Sequence, residues 1–335
     1  MKIFLTGASG FLGRHLISYL EDSSHEIVAM TRSSSSDLGV TTHVGDIVTD
    51  DGLVKAMRGC DWLVHAAGRV SHDPANAQAL WDVHVKGSKR VIESARSAGI
   101  KKIVYISTSG VVAVSDDPNL VANETSPTPR HLIKNWPYYR SKLYAEEYVL
   151  SQNSEDLPIV SLNPSLLLGP GDAPDGPSTS AIRLFLEGRV PLAPPGGLSF
   201  VDVRDIPQAI DLAFERGVGG QRYLLGSANM TFTEFYQRLS RISGLPAPTA
   251  TMPLLTRRLI GWVPGWKRFG VSIGVDLSRE DLDMSCHTWY LDHAKAHEVL
   301  GWLPRDPQAT LEDTVDDLAH QAGQYQPFVT TRFTD

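Results

Sequence analysis

The sequence predicts an α/β fold with a doubly wound parallel sheet, and three observations support this prediction. A short apolar run over residues 2–5 is followed at once by three glycines spaced three apart. Apolar residues then recur at helical spacing over residues 12–20, so that one face of a helix can lie on a sheet. A second apolar run over residues 26–30 stands where a strand-helix-strand unit of about 30 residues places its second strand.

Strand-like and helix-like segments continue to alternate along the chain, which favours a parallel sheet. The predicted strands cover residues 2–5, 26–31, 42–47, 61–65, 101–107, 157–163, 198–205 and 222–225. The predicted helices cover residues 12–20, 51–57, 80–98, 138–149, 180–187, 210–214, 231–242 and 310–320, and a further helix ends at Gly301. We expect the run over residues 198–205 to return the chain to the main sheet.

Chain length and helix-breaking residues predict two lobes. At 335 residues the chain exceeds one small domain and suits a large sheet domain with an appended lobe. Proline- and glycine-rich runs over residues 169–177 and 191–197 indicate where the chain leaves the sheet and comes back. The predicted dinucleotide-binding domain covers residues 1–163 and about 198–226, the smaller, discontinuous C-terminal substrate-binding lobe covers about 164–197 and 227–322, and a polar tail covers 323–335.

Composition excludes several classes of protein. The hydrophobic fraction of 42% and charged fraction of 21% are typical of a soluble globular protein, and the net charge of -7 argues against a nucleic-acid partner. Cys60 and Cys286 form no C-x-x-C pattern, so we expect neither disulfides nor a metal site, and a reducing, cytoplasmic location. The first strand leaves no room for a signal peptide, and no apolar run approaches the ~18 to 20 residues of a membrane span.

The three glycines predict a site for the pyrophosphate of a dinucleotide. Gly7 would allow the sharp turn, Gly10 the close approach of the phosphates, and Gly13 the close packing of helix on strand. The helix start offers free backbone N–H groups to an anion. The other predicted cofactor contacts in this turn are Ser9, Phe11 and Leu12. The alternative is an ordinary strand-to-helix turn that binds nothing.

Residues after the next three strands are predicted to complete the cofactor site. No acid stands at or beside Thr31, and Arg32 follows it, helped by Ser33 or Ser34; an arginine here accommodates the 2′-phosphate of NADP. The alternative is a solvated loop arginine. Asp46 and Ile47 are placed to meet the adenine, while small residues let a flat cofactor lie against the backbone after the fourth strand. Those small residues are Ala66, Ala67 and Gly68. The preceding His65 is expected to be packed rather than catalytic.

A hydroxyl cluster and a tyrosine-lysine pair predict hydride-transfer chemistry. The run 107–110 ends the fifth strand, at the edge where open α/β sheets bind ligands. Tyr138 and Lys142 are four residues apart, so they share a helix face. A free phenol titrates near ~10, and we expect the charges of Lys142 and an oxidised nicotinamide to lower that pKa. Tyr138 would exchange a proton with the substrate oxygen, Lys142 would also bind the nicotinamide ribose, and Ser109 would steady the developing charge.

Together these motifs resemble the extended short-chain dehydrogenase/reductases, which have a Rossmann-type fold. The T-G-x-x-G-x-x-G turn from Thr6 to Gly13 and the Y-x-x-x-K pair carry the resemblance. The runs 134–136, 163–165 and 169–171 and the arginine position resemble the dihydroflavonol reductase, cinnamoyl-CoA reductase and 3β-hydroxysteroid dehydrogenase-like branch. The resemblance implies a catalytic role for Ser109 rather than for Ser107 or Thr108, and a homodimer. It also implies cofactor contacts from Ser107, Asn163, Pro164 and Ser165.

Two residues depart from the pattern of these relatives. His84 stands where many of them have an asparagine before Val-x-Gly, and Pro137 directly precedes the tyrosine. The substrates of these relatives therefore cannot be assigned to this chain. The irregular segment from 245 to 287 carries Trp262 and Trp266 among basic residues. We expect it to pack on the lobe with some contact to the substrate pocket, the alternative being contact with a membrane surface.

The leading hypothesis is an NADP-dependent oxidoreductase, NAD being the less favoured cofactor. It reduces a small-molecule ketone or aldehyde and runs in reverse as an alcohol dehydrogenase. A nucleotide-sugar epimerase or dehydratase on the same fold is the main alternative. Dehydratases of this type place an Asp-Glu pair after the hydroxyl, and epimerases often continue Ser-x-x-Val-Tyr-Gly, whereas Ser109 here is followed by Gly110-Val111-Val112. A non-catalytic NADP-sensing protein is a second alternative, against which Ser109, Tyr138 and Lys142 argue.

Overall fold

The computed structural model describes residues 1–21, 23, 25–34, 38–253 and 279–323. The strands are β1 (Lys2–Thr6), β2 (Glu26–Thr31), β3 (Thr41–Val44), β4 (Trp62–His65), β5 (Lys102–Ile106), β6 (Ile159–Pro164), β7 (Leu166–Leu168), β8 (Gly197–Asp202), β9 (Arg222–Leu225) and β10 (Ala228–Thr231). Most of segment 245–287, with Trp262 and Trp266, and nearly all of the predicted tail lie outside the described residues.

Helices alternate with these strands. They are α1 (Phe11–Glu21), α2 (Leu53–Met57), α3 (Ala77–Trp81), α4 (Ser88–Ala98), α5 (Arg130–Ile133), α6 (Pro137–Ser151), α7 (Ser180–Leu186), α8 (Ile206–Arg216), α9 (Phe232–Ser243), α10 (Arg279–Ser285) and α11 (Pro307–Gln321). A π-helical turn, Asp82–Gly87, joins α3 to α4, so the single helix predicted over 80–98 contains one widened turn.

Seven parallel strands form the main sheet in the order β3-β2-β1-β4-β5-β6-β9. The chain builds outward from β1 in one direction and then resumes with β4 on its other side. The carboxyl ends of β1 and β4 therefore flank the point where the winding reverses, which is where such sheets bind ligands. The predicted doubly wound, Rossmann-type α/β fold is confirmed.

Each face of the main sheet has its own hydrophobic core, because side chains of a strand alternate between faces. Ile3 and Leu5 of β1 pack with α1 and α8, while Phe4 packs on the opposite face with α2 and α4. Near-continuous apolar strands are expected for a parallel sheet that is covered on both sides. Trp302, in the stretch predicted as part of the substrate lobe, is buried in the first of these cores.

A second sheet in the order β10-β8-β7 lies in the smaller lobe with α7, α9 and α11. The expectation that residues 198–205 return the chain to the main sheet is wrong, because β8 pairs with β7 and β10, and β9 makes the return. Leu198 and Phe200 of β8 face the lobe core, whereas Val201 faces the core of the main sheet. Burial on both faces gives β8 the apolar character of a main-sheet strand.

Candidate active site

The glycine turn after β1 leaves no space for side chains. Gly7 has a φ of 78°, which favours glycine, and a methyl group there would stand 2.7 Å from the backbone of Ala66 and Ala67. A methyl group at Gly13 would stand 2.2 Å from the carbonyl oxygen of Gly7. The turn thus holds the start of α1 directly against the ends of β1 and β4.

The first residues of α1 are open toward this crevice. Ser9 and Gly10 are exposed, Phe11 is half-buried, and Leu12 and Gly13 are buried. The Gly10 amide donates to the Gly7 carbonyl oxygen at 3.0 Å, and no acidic side chain occupies the first helical turn. Free amides without a competing carboxylate suit a phosphate group.

Two side chains of α1 fasten the glycine turn to the loop that follows β7. The Arg14 guanidinium donates to the carbonyl oxygens of Ser9 and Gly171 at 2.7 and 2.9 Å. The His15 Nε2 lies 2.9 Å from the Pro170 carbonyl oxygen. The turn and the start of the substrate lobe are therefore held at a fixed separation.

The end of β4 is held by a buried chain of polar side chains. The Ala67 amide donates to the Thr6 hydroxyl at 3.2 Å, which hydrogen-bonds His65 Nδ1 at 2.7 Å. His65 Nε2 in turn lies 2.9 Å from the Ser88 hydroxyl. Burial lowers the pKa of His65 to about 3, so its ring is neutral. His65 is packed, as expected, and it orients the backbone that carries Ala66, Ala67 and Gly68.

Three predicted cofactor residues lie at the same edge of the sheet. Arg32 directly follows β2 and is exposed. Asp46 follows β3, and its carboxylate accepts from the Val48 amide at 2.7 Å, while Ile47 is buried. The structure thus places Arg32, Asp46 and Ile47 after the carboxyl ends of β2 and β3, which follow β1 in the sheet order; their contacts with a nucleotide stay predictions.

The predicted catalytic residues are placed by β5 and α6. Ser109, 5% exposed, opens a short 3₁₀ turn (Ser109–Val111) against which α6 packs. Tyr138 and Lys142 lie one turn apart near the start of α6, whose first residue is Pro137. Proline suits this position because its missing N–H would be unpaired in any residue.

Tyr138 lies among aromatic rings. Its ring centroid is 4.9 Å from that of Tyr139, 5.6 Å from that of His84 and 6.3 Å from that of His72. Burial raises the pKa of Tyr138 to about 12, so the hydroxyl is protonated at neutral pH. The sequence argument predicts that the Lys142 charge lowers this pKa, whereas the cost of burying a phenolate raises it.

Lys142 is 6% exposed, and its ammonium donates to the carbonyl oxygen of Ile106, the last residue of β5, at 2.7 Å. Burial lowers the pKa of Lys142 to about 8, and the carboxylate of Glu146 partly opposes this shift. The lysine is therefore mainly charged at neutral pH, and it is fixed beside the end of β5.

Glu146 is a buried residue that the sequence argument did not single out. It follows Lys142 by four residues and is 0% exposed. Its carboxylate accepts from the Ser107 hydroxyl and from the Asn163 amide, and it forms an ion pair with Arg222 at 2.8 Å. The i, i+4 spacing after Lys142 is the sequence signal that could have found it.

Ser107 and Asn163 turn their side chains toward Glu146 rather than outward. Asn163 also donates to the Thr108 carbonyl oxygen at 3.1 Å and accepts from the Ser161 hydroxyl at 2.8 Å. Their predicted contacts with the cofactor stay predictions, and the geometry gives both a part in supporting the end of β5.

Pro164 and Ser165 lie at the carboxyl end of β6, and Ser165 offers an open partner for a ligand. Pro164 is the last residue of β6. The Ser165 amide donates to the Leu225 carbonyl oxygen at 2.8 Å, but its buried hydroxyl has no hydrogen-bond partner among the residues that the structure describes. An unpaired buried hydroxyl costs free energy, and the amide of a nicotinamide would satisfy it. The glycine turn, the open helix start and this hydroxyl together fit a dinucleotide.

Residues from the C-terminal part of the chain close the other side of Tyr138. His72 Nδ1 lies 2.6 Å from a carboxylate oxygen of Asp281 in α10, and the Trp136 indole donates to Asp283 at 3.0 Å. The ring of Trp289 packs against that of Tyr139, with their centroids 4.8 Å apart. Sequence periodicity gave no indication that α10 approaches the start of α6.

The parts of the chain that the structure describes contain no group of three histidine, cysteine or acidic side chains that could hold a metal ion. Within the same parts, no helix is both long enough and apolar enough to cross a membrane.

The fold and the family match define a nucleotide-binding enzyme. Residues 3–226 match the NAD dependent epimerase/dehydratase family. A protein of Synechocystis sp. named "Putative dihydroflavonol 4-reductase" is 31% identical, over 95% of this chain and 93% of its own. "Sterol demethylase protein B" of Methylococcus capsulatus is 30% identical, over 76% of this chain and 78% of its own.

Solved structures agree with this assignment. The crystal structure of the protein gox2253 has a TM-score of 0.83 and 28% identity, over 97% of this chain and 99% of that one. DesIV, a dTDP-glucose 4,6-dehydratase from Streptomyces venezuelae solved with NAD, has a TM-score of 0.72 at 21% identity, over 98% of this chain and 100% of that one, and shares the fold. The chain belongs to the NAD dependent epimerase/dehydratase family, whose members bind NAD(P).

Proposed function

We propose that this enzyme reduces a ketone or an aldehyde with NADPH, and runs in reverse as an alcohol dehydrogenase. The observation that carries the proposal is the fixed pair of Tyr138 and Lys142 at the start of α6, beside Ser109 and the end of β5. Relatives named as a 3-beta-hydroxysteroid dehydrogenase and a 2-alkyl-3-oxoalkanoate reductase support a carbonyl or alcohol substrate.

The protein's part in the reaction follows from the state of each group. The hydride for the carbonyl carbon would come from the dinucleotide when it is bound at the glycine turn. Ser109 donates a hydrogen bond to the carbonyl oxygen and holds it toward Tyr138. Tyr138, protonated at neutral pH, donates its proton to this oxygen as negative charge develops there. The Lys142 ammonium then stabilises the phenolate that is left behind.

Three kinds of residue hold this arrangement in place. The Glu146 carboxylate, which is held by its ion pair with Arg222, stabilises the buried positive charge of Lys142. The aromatic rings around Tyr138 exclude water, which strengthens the electrostatic interactions inside the site. The contacts of His72 and Trp136 with α10 hold that helix against the start of α6.

The test is a screen of NADPH oxidation over ketones, aldehydes, acyl-CoA thioesters and nucleotide sugars, with product identification. We expect net oxidation on ketones or aldehydes, and Tyr138→Phe should reduce turnover by a factor of at least about 10³, since it removes the general acid. NADPH binding by that variant should stay near that of the wild type. Full activity of Tyr138→Phe would overturn the mechanism. Conversion of a nucleotide sugar without net cofactor change would instead support the epimerase alternative.

The preference for NADP is a separate proposal that rests on Arg32. This exposed arginine follows β2, and the described residues at the end of that strand include no acid to bind ribose hydroxyls. Arg32→Ala should raise the dissociation constant of NADPH by about tenfold or more and leave that of NADH nearly unchanged. Arg58→Ala, at an exposed arginine that ends α2, is the matched control. Equal weakening of both cofactors would contradict the assignment.

Two further expectations rest on the sequence. A homodimer and a cytoplasmic location stay predictions, the first drawn from the family resemblance and the second from the cysteine usage.

A further inference from the structure

His84 is a buried histidine whose two ring nitrogens bind different parts of the site. It is 1% exposed and lies in the π-helical turn Asp82–Gly87. The backbone amide of Arg69 donates to Nε2 at 3.1 Å. Nδ1 lies 2.8 Å from the hydroxyl of Ser141, and that hydroxyl donates to the carbonyl oxygen of Tyr138 at 2.8 Å.

These hydrogen bonds determine where the ring carries its proton. A backbone amide can only donate, so Nε2 of His84 must be the acceptor for Arg69. A carbonyl oxygen can only accept, so the single Ser141 hydroxyl proton points at Tyr138, and the Ser141 oxygen must accept from His84 Nδ1–H. The ring is therefore the neutral form protonated on Nδ1. Burial and the nearby charge of Lys142 lower the pKa of His84 well below its ordinary value, which agrees with a neutral ring.

The two hydrogen bonds join the two sides of the cleft. Arg69 follows Gly68, where the backbone leaving β4 is predicted to lie against the cofactor. A methyl group at Gly68 would stand 3.4 Å from His84 Nε2, so the ring also packs closely against this backbone. On the other side, Ser141 belongs to the first turns of α6 together with Tyr138, whose ring meets the His84 ring edge-on at 5.6 Å.

We propose that His84 is a positioning residue that sets the spacing between the cofactor-binding backbone after β4 and the catalytic tyrosine. This inference rests on the proposed carbonyl reductase function. A histidine is suited to this task because it can form a hydrogen bond at each of its two ring nitrogens. The π-helical turn is a device that often occurs at functional sites, and here it carries the side chain that spans the cleft.

Two variants separate the two hydrogen bonds. His84→Asn places an amide at the position of Nδ1, so it keeps the bond to Ser141 and loses the one to Arg69. His84→Gln extends to the position of Nε2, so it keeps an acceptor for Arg69 and loses the donor to Ser141. We expect His84→Asn to raise the dissociation constant of NADPH by about tenfold, the effect of one buried hydrogen bond. We expect His84→Gln to lower kcat by about tenfold with near-normal NADPH affinity.

Further measurements distinguish positioning from other roles. Because the ring stays neutral, the pH profile of kcat/KM should keep its shape in both variants. If one of the pH-dependent changes in rate disappeared, His84 would be a proton-transfer group and the proposal would be overturned. Equal loss of kcat and NADPH affinity in both variants, with a lower melting temperature, would also overturn it. If the wild-type enzyme reduces no carbonyl compound, the proposed function fails, and NADPH titrations of the two variants still decide whether His84 holds the cofactor side.

Discussion

Lys142, whose ammonium group is buried, is the residue on which the proposed chemistry most depends. It donates to the Ile106 carbonyl oxygen, and burial lowers its pKa to about 8. Tyr138 has its pKa raised to about 12 by the same cause. The two groups are therefore both protonated at neutral pH, which is the state that carbonyl reduction requires.

This ionisation state predicts how reduction depends on pH. As the pH rises through about 8, Lys142 loses its proton, and with it the charge that stabilises the Tyr138 phenolate. We expect kcat/KM for reduction to be level near pH 7 and to fall above pH 8. Steady-state rates between pH 6 and 10, compared with those of Lys142→Arg, check this. The arginine keeps its charge over the whole range, so any remaining activity in that variant should not show the fall. A wild-type profile that stays level to pH 10 would contradict the assignment.

Spacing predicted the main catalytic residues, but it did not predict their environment. Tyr138 and Lys142 were found from their separation and their place after the hydroxyl cluster, both of which are local features. The raised pKa of Tyr138 depends on burial among rings such as those of His72 and His84, which the fold brings to the start of α6 from other parts of the chain. The part played by Glu146 depends on Arg222, which is 76 residues away along the chain and cannot be paired with it from a single sequence.

At the scale of secondary structure, the parallel strands were the most predictable elements. Buried strands of a parallel sheet are apolar along their whole length, and glycine and proline mark their ends. The widened turn Asp82–Gly87 was not predictable, because a single extra residue in a helix leaves the apolar spacing around it almost unchanged. It determines where His84 points, and the sequence showed His84 only as a departure from its relatives.

The placement of β8 shows the limit of apolar patterning. A strand that is buried on both faces has the same pattern whether its neighbours belong to the main sheet or to a smaller one. Here the neighbours are β7 and β10, and the sequence of β8 does not indicate either pairing. Contacts between elements that are far apart in sequence decide the outcome.

At the scale of the whole molecule, charged side chains fasten the C-terminal segment to the region after β8. The carboxylate of Asp202, 0% exposed, accepts from the Arg204 guanidinium at 2.8 and 2.7 Å, and Arg204 also pairs with Asp313 of α11 at 2.6 Å. Asp205 accepts from the Arg305 guanidinium at 2.8 Å, and its carbonyl oxygen accepts from the Trp302 indole at 3.0 Å. These contacts hold α11 in place against both lobes.

Removal of one partner from this network should destabilise the whole fold. Asp202→Asn removes the buried carboxylate and leaves the partly buried Arg204 charge with only its more exposed partner Asp313, and we expect a loss of about 3 kcal/mol in the free energy of unfolding. Urea unfolding followed by circular dichroism measures this loss. Lys101→Ala, which removes an exposed ion pair with Asp61, is the control and should have little effect. An Asp202→Asn enzyme as stable as the wild type would show that the network orients the lobes without stabilising the fold.

The path of the chain through the two sheets has a consequence for biosynthesis. The main sheet gains its last strand, β9, only after β7, α7 and β8 of the smaller lobe have been made, and the burial of Trp302 in its core comes later still. A nascent chain therefore exposes the free edge of β6 on the ribosome until residue 225 has emerged. Because the chain passes from the main sheet to the smaller lobe and back, no single cut separates the two. The segments between β6 and β9 can change in sequence without altering the order of the strands in the main sheet. Such an arrangement allows one nucleotide-binding sheet to acquire many different substrate pockets.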